Sequence, residues 1–147
     1  MKPEISPQTR SILITLGVIL FVLLVALFKT SSAQRGWLRL RPVSEQVATS
    51  KAAGQALVVY FHSPGCSSCA RVQTALEQVY PEFESDIMLL DVDVTNRSER
   101  SFVETSGVIT TPTLLFISPD GRENLFVGEI STAQLRAELL ALTGGRP

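Results

Sequence analysis

Leu57-Val58-Val59-Tyr60-Phe61 is an apolar run that stops at Ser63-Pro64-Gly65, and close behind that stop stand the only two cysteines of the chain, Cys66 and Cys69. No other feature restricts the fold as tightly, because an extended segment must end, a turn must follow and a helix must start within a few residues. The helical spacing of Ala70, Val72, Ala75, Leu76 and Val79 begins directly after the cysteines. Cys66 is therefore expected at or just before a helix N-terminus, where unpaired N–H groups and the positive end of the macrodipole favour a thiolate. A lowered thiol pKa makes Cys66 the better nucleophile and leaves Cys69, one turn on, to resolve a mixed disulfide.

Two plainer readings compete with that one. A permanent staple across so small a loop constrains the unfolded chain little, since the entropic gain grows with loop length. A structural zinc site normally takes four ligands, whereas this chain offers two cysteines and its single histidine, His62. A metal carrier built on Cys66, Cys69 and His62 would have to borrow carboxylates or a second subunit. Redox cycling needs nothing more than the two sulfurs.

The N-terminus bounds where such chemistry happens. Residues 1–11 form a tail with Lys2 and Arg10, and 12–28 is an uncharged apolar run broken only by Thr15 and Gly17. At about 1.5 Å per residue that run covers roughly 25 Å, inside the range of a membrane span and longer than an ordinary signal-peptide core. Ser31-Ser32-Ala33 resembles a cleavage site, but the length of the run and Lys29 behind it favour an uncleaved signal anchor embedded in lipid. Lys29, Arg35, Arg39 and Arg41 follow the span and by the positive-inside rule place the remainder in the cytoplasm. Redox logic points the other way, because a cytosolic dithiol gains little from a tether when soluble glutathione and thioredoxin surround it. The expectation is a single-pass cell-membrane protein with its catalytic domain extracytoplasmic, periplasmic or equivalent.

Residues 29–42 read as a juxtamembrane linker whose Trp37, Leu38 and arginines suit a membrane interface. Behind it 105 residues remain, enough for one domain over 43–147 with a single core. The formal net charge of the chain is −1 and no basic tract interleaves with aromatics, which argues against nucleic acid. Internal repeats and low-complexity segments are lacking.

The elements alternate after the linker. Val43 to Ala53 is spaced as a helix, with Val47, Ala48 and Ala52 on one face and Gly54 as its cap. Ala56 to Phe61 is apolar enough for a strand buried on both faces. Cys66 to Tyr80 is a helix ended near Pro81, and Ile87 to Val94 is a second strand. Asn96 with Glu99 forms the pattern of a capping box for a short helix before Gly107. Thr113 to Ile117 is a third strand, and Ser118-Pro119-Asp120-Gly121 turns it into a fourth near Asn124 to Val127. Ser131 with Gln134 opens a closing helix bearing Leu135, Leu139, Leu140 and Leu142. Strand–helix–strand passages favour parallel crossovers, whereas the Pro-Asp-Gly connection demands an antiparallel hairpin.

With Cys66-Ser67-Ser68-Cys69 between strand and helix, Thr111-Pro112-Thr113 leading into the next-to-last strand, and Gly128 near the end of the hairpin, the chain resembles a thioredoxin-fold protein over about Val43 to Leu142. The resemblance implies an α/β, three-layer α/β/α sandwich around a mixed four-stranded sheet, here preceded by one N-terminal transmembrane helix. It implies a cis Pro112 beside the sulfurs and a Thr111 backbone that pairs with an extended substrate. An ordinary trans proline at a strand start is the competing reading. The resemblance also implies a thiol–disulfide oxidoreductase acting on protein thiols or disulfides through Cys66 and Cys69. No metal, flavin or nucleotide would be required, the redox-active disulfide serving as its own cofactor.

The departures are equally specific. Thioredoxins proper carry Trp-Cys-Gly-Pro-Cys, and this chain has Gly65 before the first cysteine and two serines between the pair. Their buried aspartate, proton acceptor for the resolving thiol, is replaced by Tyr60, which leaves that role unassigned; His62 is close enough in sequence to take it, and a partly exposed loop histidine that only packs or hydrogen-bonds is an equally good reading. Membrane-tethered relatives are commonly reductants, so the implied direction is reduction of protein disulfides, recharged by a membrane electron donor. The alternative from another class is a non-catalytic thioredoxin-like binding module.

Overall fold

The computed structural model describes residues 41–144 and, ahead of them, only Gly17. The tail 1–11, the span 12–28 apart from Gly17, and all but the end of the linker 29–42 lie outside the described residues. Among the described residues no helix is long and apolar enough to cross a membrane. The order is α1 (Val43–Ala52), β1 (Ala56–His62), α2 (Ser67–Val79), a 3₁₀ turn (Tyr80–Glu82), β2 (Ile87–Asp93), α3 (Arg100–Thr105), β3 (Thr113–Ile117), β4 (Glu123–Val127) and α4 (Thr132–Leu142).

The strands form one mixed sheet in the order β2-β1-β3-β4. β1 is central, parallel to β2 and antiparallel to β3, and β3 pairs antiparallel with β4. Its continuous apolar run follows from burial on both faces. Val58 and Tyr60 point to one side, where they pack with Val72, Leu76 and Val79 of α2 and Leu135 and Leu139 of α4. Leu57, Val59 and Phe61 point to the other, where they meet Val43 and Val47 of α1 and Phe102 and Val103 of α3. The result is the expected three-layer sandwich.

Three details differ from the sequence expectation. α1 buries Val43, Gln46, Val47 and Ser50, whereas Ala48 and Ala52 face solvent. The spacing is helical, but two polar residues hold core positions, and the Ser50 hydroxyl is satisfied at Met88 Sδ, 3.2 Å away. The Asn96–Glu99 box does not form. Asn96 Oδ1 accepts instead from the backbone N–H and the hydroxyl of Ser98, at 3.1 and 3.0 Å, so the chain makes a turn there and α3 starts only at Arg100. The second strand–helix–strand passage is not a parallel crossover. β3 begins at the same end of the sheet where β2 finishes, so the connection need not travel back along the strands, and a six-residue helix about 9 Å long suffices.

That reversal positions the site. The C-terminal end of β1 and the N-terminal end of β3 are neighbours, Phe61 pairing with Thr113. The turn after β1 and the loop before β3 therefore meet.

Candidate active site

β1 ends at His62, and Ser63-Pro64-Gly65 carries the chain into α2. Gly65 adopts φ +74°, a left-handed conformation costly for any residue with a Cβ, although open space surrounds the position. The backbone of the turn, rather than crowding, accounts for glycine where thioredoxins keep tryptophan. Cys66 follows as the N-cap of α2 and is joined to Cys69 in a disulfide.

The two sulfurs sit in unlike surroundings. Cys66 is half-buried, whereas Cys69 is only 4% exposed and packs in the core. Cys66 Sγ accepts from the Cys69 N–H at 3.1 Å and, being disulfide-bonded, from the Ser68 hydroxyl at 3.3 Å. These are donors that would also stabilise negative charge on that sulfur after reduction. Cys66 thus has access and donors, and Cys69 is sheltered behind it.

Tyr60 lies under the helix start. Its hydroxyl donates to the Cys69 carbonyl at 2.7 Å, and burial, with the charge of Asp91 nearby, pushes the phenol up to about 12. It is a fixed donor at neutral pH and takes no proton from a thiol. His62, two residues on and on the same face, stacks on the Tyr60 ring with centroids 5.3 Å apart. Its Nε2 is 2.9 Å from Asp91 Oδ1 on the paired strand β2. Tyr60, His62, Leu76, Leu89 and Asp91 line a cleft of about 360 Å³ between α2 and the sheet edge.

The Thr111-Pro112 bond is cis, as the resemblance implied, and Pro112 is buried. Gly128, at φ +100°, donates its N–H to the Pro112 carbonyl at 2.9 Å, and the Thr113 hydroxyl donates to the Thr110 carbonyl at 2.8 Å. The Ser63 and Thr111 hydroxyls lie 3.0 Å apart, so the turn carrying Cys66 and the loop carrying Pro112 are in contact. Around that loop Ile109 is 92% and Val127 55% exposed.

The sequence-derived residues Cys66, Cys69, Thr111 and Pro112 thus lie on adjoining segments at one end of the sheet. His62 is at the same strand end but bonds to Asp91 rather than to a sulfur. Asp91 and Ser63 were missed. The signal for Asp91 was the switch from apolar run to alternation in β2, which puts it beside β1 in the parallel register; Ser63 gave no signal beyond its place in a turn. Among the described residues no group of three or more His, Cys, Asp or Glu gathers as a metal site.

The profile of the thioredoxin-like domain family matches residues 43–143. The thioredoxin-like protein CITRX of Arabidopsis thaliana, a chloroplast protein, is 36% identical over 64 residues, covering 44% of this chain and 34% of its own length. The chloroplast protein CITRX2 of Nicotiana benthamiana is 34% identical over the same length and shares. The chain therefore spans about a third of the length of the curated relatives it matches. Among solved structures, chloroplastic thioredoxin z superposes with a TM-score of 0.59 at 22% identity, over 69% of this chain and 90% of that one. MTB DsbF, solved in mixed oxidised and reduced forms, gives 0.50 at 20% identity, over 60% and 81%. These two likenesses establish the fold, on which this chain sets the Cys66–Cys69 disulfide at the head of α2. By the family profile across most of its length, the chain belongs to the thioredoxin-like domain family.

Proposed function

We propose that this chain is a membrane-tethered thiol–disulfide oxidoreductase that reduces disulfides in other proteins, its domain standing on the extracytoplasmic side. The observation that carries the redox reading is the asymmetric Cys66–Cys69 pair, one sulfur accessible and supplied with donors, the other buried, beside a cis-proline loop. The exposed Ile109 and Val127 near that loop support a protein rather than a small-molecule substrate, because exposed apolar surface there gains from contact with apolar surface of a partner. The tether and the direction rest on the apolar run at 12–28 and on the usual role of anchored relatives.

The reaction proceeds in two exchanges. Cys66 thiolate attacks one sulfur of a substrate disulfide, the second substrate sulfur leaves as a thiolate and takes a proton, and a mixed disulfide forms. Cys69 then loses its proton and attacks Cys66 Sγ, releasing the first substrate sulfur as a thiol and closing the Cys66–Cys69 disulfide. Two electrons pass to the substrate and an external dithiol, held by a membrane electron donor, restores them. With Tyr60 fixed as a donor, we take His62, which is paired with Asp91 in the cleft, as the candidate for passing the Cys69 proton to solvent.

Reduction of a disulfide-bonded protein by the chain, recharged with dithiothreitol, tests the reading. Cys66→Ser is expected to abolish turnover and Cys69→Ser to trap a mixed disulfide. His62→Gln is expected to slow resolution about tenfold without changing alkylation of Cys66. A Cys66→Ser, Cys69→Ser double variant that keeps full activity in cells would instead identify a binding module. Tight zinc or copper(I) binding by the reduced chain would favour the metal carrier.

A further inference from the structure

The nucleophile and the substrate-receiving loop belong to different strands, and Ser63 reaches both. Its carbonyl accepts from the Cys66 N–H at 3.4 Å, while its hydroxyl lies 3.0 Å from that of Thr111 in a half-buried position. On the far side of Thr111 the chain is already fixed, by the Thr113 hydroxyl on the Thr110 carbonyl and by Gly128 on the Pro112 carbonyl. The β1–β3 ladder starts only at Thr113. Thr111 is thus the one residue of the loop tied by its side chain to the cysteine turn while its backbone stands ahead of the sheet.

We propose that Ser63 is a positioning residue for polypeptide substrates: by bonding to the Thr111 hydroxyl it sets the Thr111 backbone against Cys66 so that an extended segment can pair with the loop while its sulfur meets the nucleophile. The inference rests on the oxidoreductase reading above and deepens it. A small disulfide needs only Cys66, whereas an extended chain needs both points held at a fixed spacing. Removing the hydroxyl leaves the backbone bond from Cys66 to the Ser63 carbonyl in place, so the turn itself stays formed.

The test compares the full chain with Ser63→Ala, Thr111→Val, the double variant and Ser63→Thr, using a disulfide-bonded protein and a small aromatic disulfide as substrates. Ser63→Ala is expected to raise KM for the protein about fivefold at unchanged kcat, to move KM for the small disulfide less than twofold, and to keep the pH profile of Cys66 alkylation. Thr111→Val should match it, the double variant should be no worse than either single one, and Ser63→Thr should restore the wild-type KM. An unchanged protein KM, equal losses on both substrates, or effects that multiply in the double variant would overturn the proposal. A wild-type chain that reduces neither substrate would overturn the oxidoreductase reading, and this proposal with it. Where the wild type reduces both, the KM ratios of the variants alone decide the role of Ser63.

Discussion

Tyr60 shows what a single substitution at a buried position does to a redox site. A carboxylate there would take a proton from the resolving thiol, but a phenol raised to about 12 holds its own and donates it to the Cys69 carbonyl. Because the folded value lies above the ordinary tyrosine value of 10.0, the folded state keeps the proton longer than the unfolded one. The stability this contributes is full below about pH 10 and is lost as pH rises to about 12. Tyr60→Phe is therefore expected to cost about 1 kcal/mol at pH 7, read by chemical denaturation, and to remove a phenol transition near pH 12 from the ultraviolet titration. The departure from the family was legible in the sequence, since Tyr60 stands where the aspartate should. Its partner was not, because the Cys69 carbonyl comes within reach only once α2 lies across β1.

At the scale of elements, strands were read best. β3 matches the expectation to the residue and β1 runs one residue further, because a run buried on both faces has no polar side to confuse the pattern. Helices were read less well wherever polar groups do structural work, as with Gln46 and Ser50 inside α1 and Asn96 turned back on Ser98. Three ion pairs invisible to local patterning link helices to distant segments at the surface, Lys51 of α1 with Glu123 of β4 and two that are bidentate. Arg71 of α2 grips Glu129 beyond β4, and Arg136 of α4 grips Glu82 of the 3₁₀ turn, each through two nitrogen–oxygen contacts. Hydrogen bonds from the arginines hold both carboxyls below the usual carboxylate range. The folded state then binds fewer protons than the unfolded one, so their contribution is present above about pH 4.5 and is lost as pH falls further. A Glu82→Gln, Glu129→Gln variant is expected to trail the wild type slightly in melting temperature at pH 7 and low salt, with the gap narrowing as pH falls below about 4.5 and in high salt.

For the whole molecule, the thioredoxin-like sandwich was legible because the CxxC, the Thr-Pro-Thr and the Pro-Asp-Gly punctuate it at the right places; the direction of β3 was not, since helical periodicity carries no sign for the strand that follows. The proposed tether makes its own prediction. In intact cells a membrane-impermeant thiol reagent is expected to label Cys66 after mild reduction, and labelling only after permeabilisation would move the domain to the cytoplasm, as the basic residues behind 12–28 require. The reversal of β3 has one more consequence. It sends Pro112 to one end of the strand and Asp120-Gly121 to the other, about 17 Å apart over five residues. The hairpin tip is exposed and far from the sulfurs. It is the natural handle of the domain, a place where a fluorophore, an affinity tag or an inserted peptide can be grafted while the sulfurs work undisturbed at the opposite pole.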